Sequence, residues 1–260
     1  MPQIAPPTQP TVELMPFVPG TTLRLRVPLD AQNSPDGAQV AFILNEVVPE
    51  RKKARARLWT VQVATGESAP LCPASAGDDA CPRWSPDGTQ LAFLSSRDDD
   101  KAEKQLYLAA MRGAGQAEVS RVCAMPNGAL LVAWAPDGKR LAFLSLEGPE
   151  PSGDPIMPAP GRHRRLWTVR PGSDSPEPVT PSNVTVWEFA WSPKSDQLAV
   201  FFSAGPDETD YYRGQIGVVS ATGGAITQRT RLDRQAAALT WSPDGSRIAY
   251  VSGEWSDRGL

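Results

Sequence analysis

The residues able to do acid–base, nucleophilic or metal chemistry are few and scattered. The one histidine, His163, lies inside Arg162-His163-Arg164-Arg165, with no carboxylate or cysteine beside it to orient a proton or share a metal. It reads as a solvated loop end. A serine nucleophile on an α/β sheet needs G-x-S-x-G at a strand-to-helix turn, and a triad needs a histidine base. The chain contains no such pentapeptide, so no catalytic residue is expected in it. Asp98-Asp99-Asp100 lacks the alternating ligands and glycine of a calcium loop and reads as a solvated acidic run. Cys72, Cys81 and Cys123 are an odd set with no CxxC, which argues for free thiols rather than a disulfide framework or zinc knuckle. Neither a metal nor a cofactor is expected. Arg51, Lys52, Lys53, Arg55 and Arg57 are expected to face the acidic run of a neighbouring unit, and Tyr211 and Tyr212 to form a rim aromatic pair rather than a peptide-contacting patch.

The composition removes further classes. Among 260 residues, 26 Lys and Arg stand against 29 Asp and Glu, a net charge of −3 that argues against nucleic acid as a bulk electrostatic partner. No apolar run reaches the roughly 18 residues of a membrane span. The segment MPQIAPPTQP has neither a basic nor an apolar signal region, so a cytoplasmic location is expected. The 27 prolines make long helices improbable.

A repeat organises the rest. NSPDG, WSPDG, WAPDG, WSPKS and WSPDG place Pro35, Pro86, Pro136, Pro193 and Pro243 at intervals of 51, 50, 57 and 50 residues. Serine, proline, aspartate and glycine in this order have tight-turn chemistry: proline presets φ, aspartate bonds locally, glycine accepts positive φ. Behind each turn comes an apolar strand, VAFIL from Val40, LAFLS from Leu91 and Leu141, LAVFF from Leu198 and IAYVS from Ile248. Apolar residues at successive positions predict burial on both faces. A further strand begins at Arg57, Gln105, Arg165 and Gln215, followed by a glycine-containing turn and a short fourth segment. Four strands per unit of about 50 residues predict an all-β propeller of four-stranded antiparallel blades. The chain holds four complete blades plus part of a fifth. The structural positions of the repeat are Trp84, Pro86, Asp87 and Gly88; Trp134, Pro136, Asp137 and Gly138; Trp191 and Pro193; and Trp241, Pro243, Asp244 and Gly245. The four tryptophans are expected to pack between blades. Asn33 replaces the tryptophan in the first unit, and Lys194-Ser195 replaces Asp-Gly in the fourth.

WSPDG-x2-LAFLS followed by a loop and R/Q-LW-x-V-x6-G resembles the repeats shared by TolB and the prolyl oligopeptidase family of serine peptidases. Over residues 31–260 the nearer likeness is to the N-terminal propeller of acylaminoacyl-peptidase or dipeptidyl-aminopeptidase-like members, carried by SPDGAQVAFIL with KARARLWTVQVATGE and by SPDGSRIAYVSGEWSDRGL. The resemblance implies an α/β-hydrolase domain in the same full-length chain as partner, a peptide substrate, and a non-catalytic role in gating access and docking that domain. The alternative is a standalone TolB-like scaffold for protein interactions. The domain reading is a Pro-rich segment over 1–30 with one or two strands, then blades at about 31–73, 82–124, 130–181, 185–232 and, in part, 236–260. The fifth is expected to be completed by further chain, the other option being the strands at Thr11 and Thr21. Functional variation is expected in the loops between second and third strands; among them the proline-rich stretch Glu147 to Arg165 reads as a stiff, solvated insertion rather than a docking arm.

Overall fold

The computed structural model describes residues 25–48, 53–72, 77–99, 101–111, 117–148, 161–232 and 236–253. The proline-rich loop 149–160, Arg51, Lys52, Asp100 and the strands expected from Thr11 and Thr21 lie wholly or largely outside them.

Each repeat folds as one antiparallel sheet. The first comprises β1 (Arg26–Asn33), β2 (Gln39–Val48), β3 (Lys53–Gln62) and β4 (Ser68–Pro70). The second is β5 (Asp79–Trp84), β6 (Gln90–Ser95), β7 (Gln105–Ala110) and β8 (Glu118–Cys123). The third is β9 (Leu130–Trp134), β10 (Leu141–Leu146), β11 (Arg164–Val169) and β12 (Glu177–Pro178). The fourth is β13 (Thr185–Trp191), β14 (Gln197–Ser203), β15 (Gln215–Ser220) and β16 (Thr227–Arg231), with a single helical turn, α1 (Glu208–Tyr211), between β14 and β15. β17 (Ala236–Trp241) and β18 (Ile248–Ser252) form a two-stranded fifth sheet. These are propeller blades. β1 begins at Arg26, inside the stretch read from sequence as an N-terminal segment.

Strand order follows chain order in every sheet, and the first strands meet across sheets, β1 on β5, β5 on β9, β9 on β13 and β13 on β17. They are therefore the inner strands. The second strands are sandwiched: Leu91, Ala92 and Phe93, Leu141, Ala142 and Phe143, and Leu198, Ala199 and Val200 are all fully buried. Alternate residues serve opposite neighbours. Phe93 packs with Ala41, Ile43 and Leu58 of the preceding sheet, while Ala92 and Leu94 pack with Trp134, Leu141 and Phe143 of the following one. Burying one such side chain stabilises by roughly 1.5–3 kcal/mol, so the core is a series of interfaces between sheets. Among the described residues no helix is long and apolar enough to cross a membrane.

Candidate functional site: the turn face and the long-loop face

The repeat positions assemble into a relay at one end of the sheets. Within the first, second and fifth turns the serine hydroxyl donates to the aspartate, Ser34 to Asp36, Ser85 to Asp87 (2.6 Å each) and Ser242 to Asp244 (2.5 Å). The same carboxylates accept backbone N–H groups of Ala38, Thr89 and Ser246. These bonds favour the charged form and hold all three carboxyls below the ordinary range, Asp244 at about 2. Gly88, Gly138 and Gly245 sit at φ of +72°, +70° and +72°, against the rings of Pro35, Pro86 and Pro193 in the preceding turns. Each turn thus rests on the one before it.

The tryptophans complete the relay. Trp84 Nε1 donates to the Gln32 carbonyl (3.0 Å), Trp134 to Arg83 (3.0 Å), Trp191 to Ala133 (3.3 Å) and Trp241 to Ala190 (3.0 Å). In every case the acceptor immediately precedes the matching tryptophan, or Asn33, of the previous sheet. Each indole thus makes a directional bond between neighbouring blades, and Trp84, Trp134 and Trp191 also lie in the apolar clusters between sheets.

The irregular fourth turn has its own solution. Ser195 takes the glycine position at φ +60°, and Asp196, one place later, accepts from Ser192 Oγ at 2.8 Å. The Ser195 hydroxyl then accepts Asp137 N–H in the third turn at 3.0 Å. Arg140 reinforces this contact by donating to the Ser195 and Ala221 carbonyls and lying over the Trp191 ring.

The opposite end carries the long loops, and here several expectations change. Asp98 is not taken up by the arginines of the first sheet. It accepts the Tyr107 hydroxyl at 2.6 Å and lies 3.5 Å from Arg121, both in its own sheet. Burial, then the bond to Asp98, pushes the Tyr107 phenol up to about 12. Arg97 lies over the rings of Phe93 and Tyr107, 5.0 and 5.2 Å from their centroids, with Asp79 at 3.5 Å. Asp79, buried, accepts from Ser95 Oγ and from Leu58 N in the preceding sheet. His163 is half-buried with Nδ1 2.9 Å from Thr185 Oγ1, a link to the next sheet rather than a solvated loop end. Tyr211 packs edge-on against Trp187, Phe201 and Tyr212, covering the blade. The cysteines are free thiols, raised by burial, Cys123 to about 11. A raised thiol pKa is the opposite of what a nucleophile needs.

Two features escaped the sequence reading. The inner strands bulge three residues before the tryptophan position, at Asp30, Cys81, Leu131 and Ala238, with φ of 47°, 52°, 49° and 56°. Nothing in these four side-chain types marks the position. In the fourth sheet the same position is Glu188, whose carboxylate accepts the N–H groups of Ala238 (2.9 Å) and Leu239 (2.8 Å) in the bulge of β17. A lone glutamate in an apolar inner strand was the available signal. At the corresponding place between the first two sheets, Arg83 Nη1 bonds both carboxylate oxygens of Asp30 at 2.9 Å.

No family model matches the chain. It is 34% identical over 99 residues to the uncharacterized peptidase YuxL of Bacillus subtilis, a match covering 38% of this chain and 14% of that protein. Its structure is similar to acylaminoacyl peptidase of Pyrococcus horikoshii (TM-score 0.59, 16% identity, 82% of this chain and 34% of that one). It is also similar to TolB of Acinetobacter baumannii (TM-score 0.56, 18% identity, 88% of this chain and 49% of that one). The resemblance to these propellers, read from the repeats, holds. The β-propeller fold is shared, and the chain spans only a fraction of the length of the peptidases it matches.

Proposed function

We propose that this chain is the propeller region of a prolyl-oligopeptidase-like serine peptidase. It supplies no catalytic residue and acts by gating peptide access and docking an α/β-hydrolase domain of the same full-length protein. The observation that carries this reading is the 34% identity to a peptidase over 99 residues, in a chain whose fold acylaminoacyl peptidase also has. The long-loop end supports it through rigidly held polar groups. Asp98, exposed there, is held by the hydroxyl of the buried Tyr107 and by Arg121, so it loses little side-chain entropy on docking. TolB similarity over 88% of the chain favours a second reading, a standalone interaction scaffold.

One experiment separates them. An antibody to this chain, applied to extracts of the native source treated with a fluorophosphonate, is expected to detect a labelled protein much larger than this chain. An unlabelled band of this chain's own size overturns the peptidase reading and leaves the scaffold.

A further inference from the structure

Asp98 of the second sheet is held by Tyr107 and Arg121, which leaves Arg55 and Arg57 of β3 without the acidic neighbour their sequence called for. Their setting is a hairpin longer than the others. β2 and β3 pair from Gln39 with Gln62 as far as Val48 with Lys53. The corresponding ladders stop at Ser95 with Gln105 in the second sheet, Leu146 with Arg164 in the third and Phe202 with Gln215 in the fourth. Matched through Phe42, Phe93, Phe143 and Val200, those ends correspond to Leu44 or Asn45. The first hairpin therefore projects three or four residues, about 10–14 Å, farther at the long-loop end.

Across this hairpin Arg26, Glu46 and Arg55 stand in one row and Pro28, Leu44 and Arg57 in the next, all on one face. Three guanidiniums share one carboxylate there. Glu46 Oε1 accepts both Nε (2.7 Å) and Nη2 of Arg26, whose guanidinium also lies over the Trp59 ring, 5.1 Å from its centroid. Arg55, opposite the same glutamate, forms no salt bridge among the described residues, and its Nε is buried without an acceptor. Arg57 is uncompensated as well. At its place in the second and third sheets Gln105 donates to the Met125 carbonyl and Arg165 to that of Thr180, whereas among the described residues Arg57 makes neither such a bond nor a salt bridge. Trp59 Nε1 is a further buried donor without an acceptor on this face, but Trp167 repeats it in the third sheet, so the weight falls on the two arginines. A buried donor left unpaired is costly, and an incoming carboxylate relieves it.

We propose that this face of the projecting hairpin docks an extended acidic polypeptide segment with carboxylates at alternate positions, one on Arg55 and the next on Arg57. Same-face residues of a strand recur every two residues, about 6.8 Å, and an extended partner repeats its side chains at the same interval. The fit is one of charge and spacing. Two uncompensated guanidiniums in a chain of net charge −3 are too few for nucleic acid, whose affinity grows with the number of phosphates neutralised. The site does not rest on the peptidase reading.

The probe is a capped peptide, TETETETT, carrying an uncharged fluorophore and titrated with the full chain at low ionic strength. Its anisotropy is expected to rise saturably, and binding to weaken about tenfold with Arg55→Gln and with Arg57→Gln. The peptide ETTETTET, of the same charge with no two glutamates at alternate positions, is expected to bind about tenfold more weakly, and TQTQTQTT not at all. Arg213→Gln, at an exposed arginine elsewhere on the long-loop end, is expected to leave binding unchanged. The peptide variants leave the protein untouched, so the outcome does not hang on how the arginine variants fold. No saturable rise, equal binding of ETTETTET, or equal weakening by Arg213→Gln overturns the proposal. Tighter binding of a short oligothymidylate than of TETETETT also overturns it, since the face then serves a phosphate backbone. Failure here leaves the fluorophosphonate result untouched.

Discussion

The indole Nε1 of Trp134 donates to the carbonyl oxygen of Arg83, 3.0 Å away and 51 residues earlier in the chain. The bond ties the inner strand of one blade to that of the blade before it, and Trp134 is otherwise buried among Val132, Leu141 and Phe143. Trp134→Phe keeps most of the packing and leaves the Arg83 carbonyl without its donor, so a loss of about 1 kcal/mol is expected. Trp134→Ala also opens a cavity, with an expected loss of about 3–5 kcal/mol. Urea unfolding followed by circular dichroism checks both. Equal losses for the two variants would show that the hydrogen bond, not the packing, dominates.

Ser195 occupies a left-handed position that glycine fills in four other turns, and its hydroxyl accepts the Asp137 N–H. Ser195→Gly relieves the backbone and removes the acceptor, two effects of about 1 kcal/mol each and opposite sign, so stability should hardly change. Ser195→Val places a β-branched side chain at φ +60° and loses the acceptor as well. It is expected to lower the thermal midpoint by several degrees in a calorimetric scan, while Ser195→Gly stays within a degree or two of the parent.

Asp36, Asp87 and Asp244 are held below the ordinary carboxyl value of 3.8 by serine and backbone donors, Asp244 at about 2. A carboxyl depressed in the folded state contributes its stability above the unfolded value, and loses it as the pH falls through the folded one. Stability should therefore be flat above about pH 5 and decline between about pH 4 and 2. Carboxyl carbon NMR titration should place the Asp244 midpoint near 2. A midpoint near 3.8 would mean that the turn bonds do not persist in solution.

Glu188 clasps the fifth sheet to the fourth through the Ala238 and Leu239 amides. Glu188→Ala leaves both N–H groups without this acceptor and should loosen β17 and β18 before the rest of the molecule. Hydrogen exchange is the measurement: at least tenfold faster exchange at Ala238 and Leu239 is expected, with amides of β6 and β10 unchanged. Uniform acceleration across all sheets would assign Glu188 a global role instead.

The thiols of Cys72, Cys81 and Cys123 are free and raised by burial. At pH 8 the native chain should react slowly with Ellman's reagent, and in guanidinium it should release three equivalents at once. Fewer than three would indicate a disulfide.

How much could be read without coordinates follows from distance along the chain. The blades were legible because their signature is local: Ser34, Pro35, Asp36 and Gly37 make their turn within four residues, and LAFLS announces a strand sandwiched on both faces by residue type alone. The remainder required the tertiary structure. The bulge at Asp30, Cys81, Leu131 and Ala238 is a property of backbone position, shared by four side chains with no chemistry in common. The Ser195 contact with Asp137, the Glu188 clasp and the partner of each indole join residues 50 or more apart. Which groups meet across such intervals depends on how twisted sheets stack around an axis, and stacking brings together positions rather than residue types. That also explains why Asp98 turned to Tyr107 and Arg121 in its own sheet, and not to the basic strand of its neighbour.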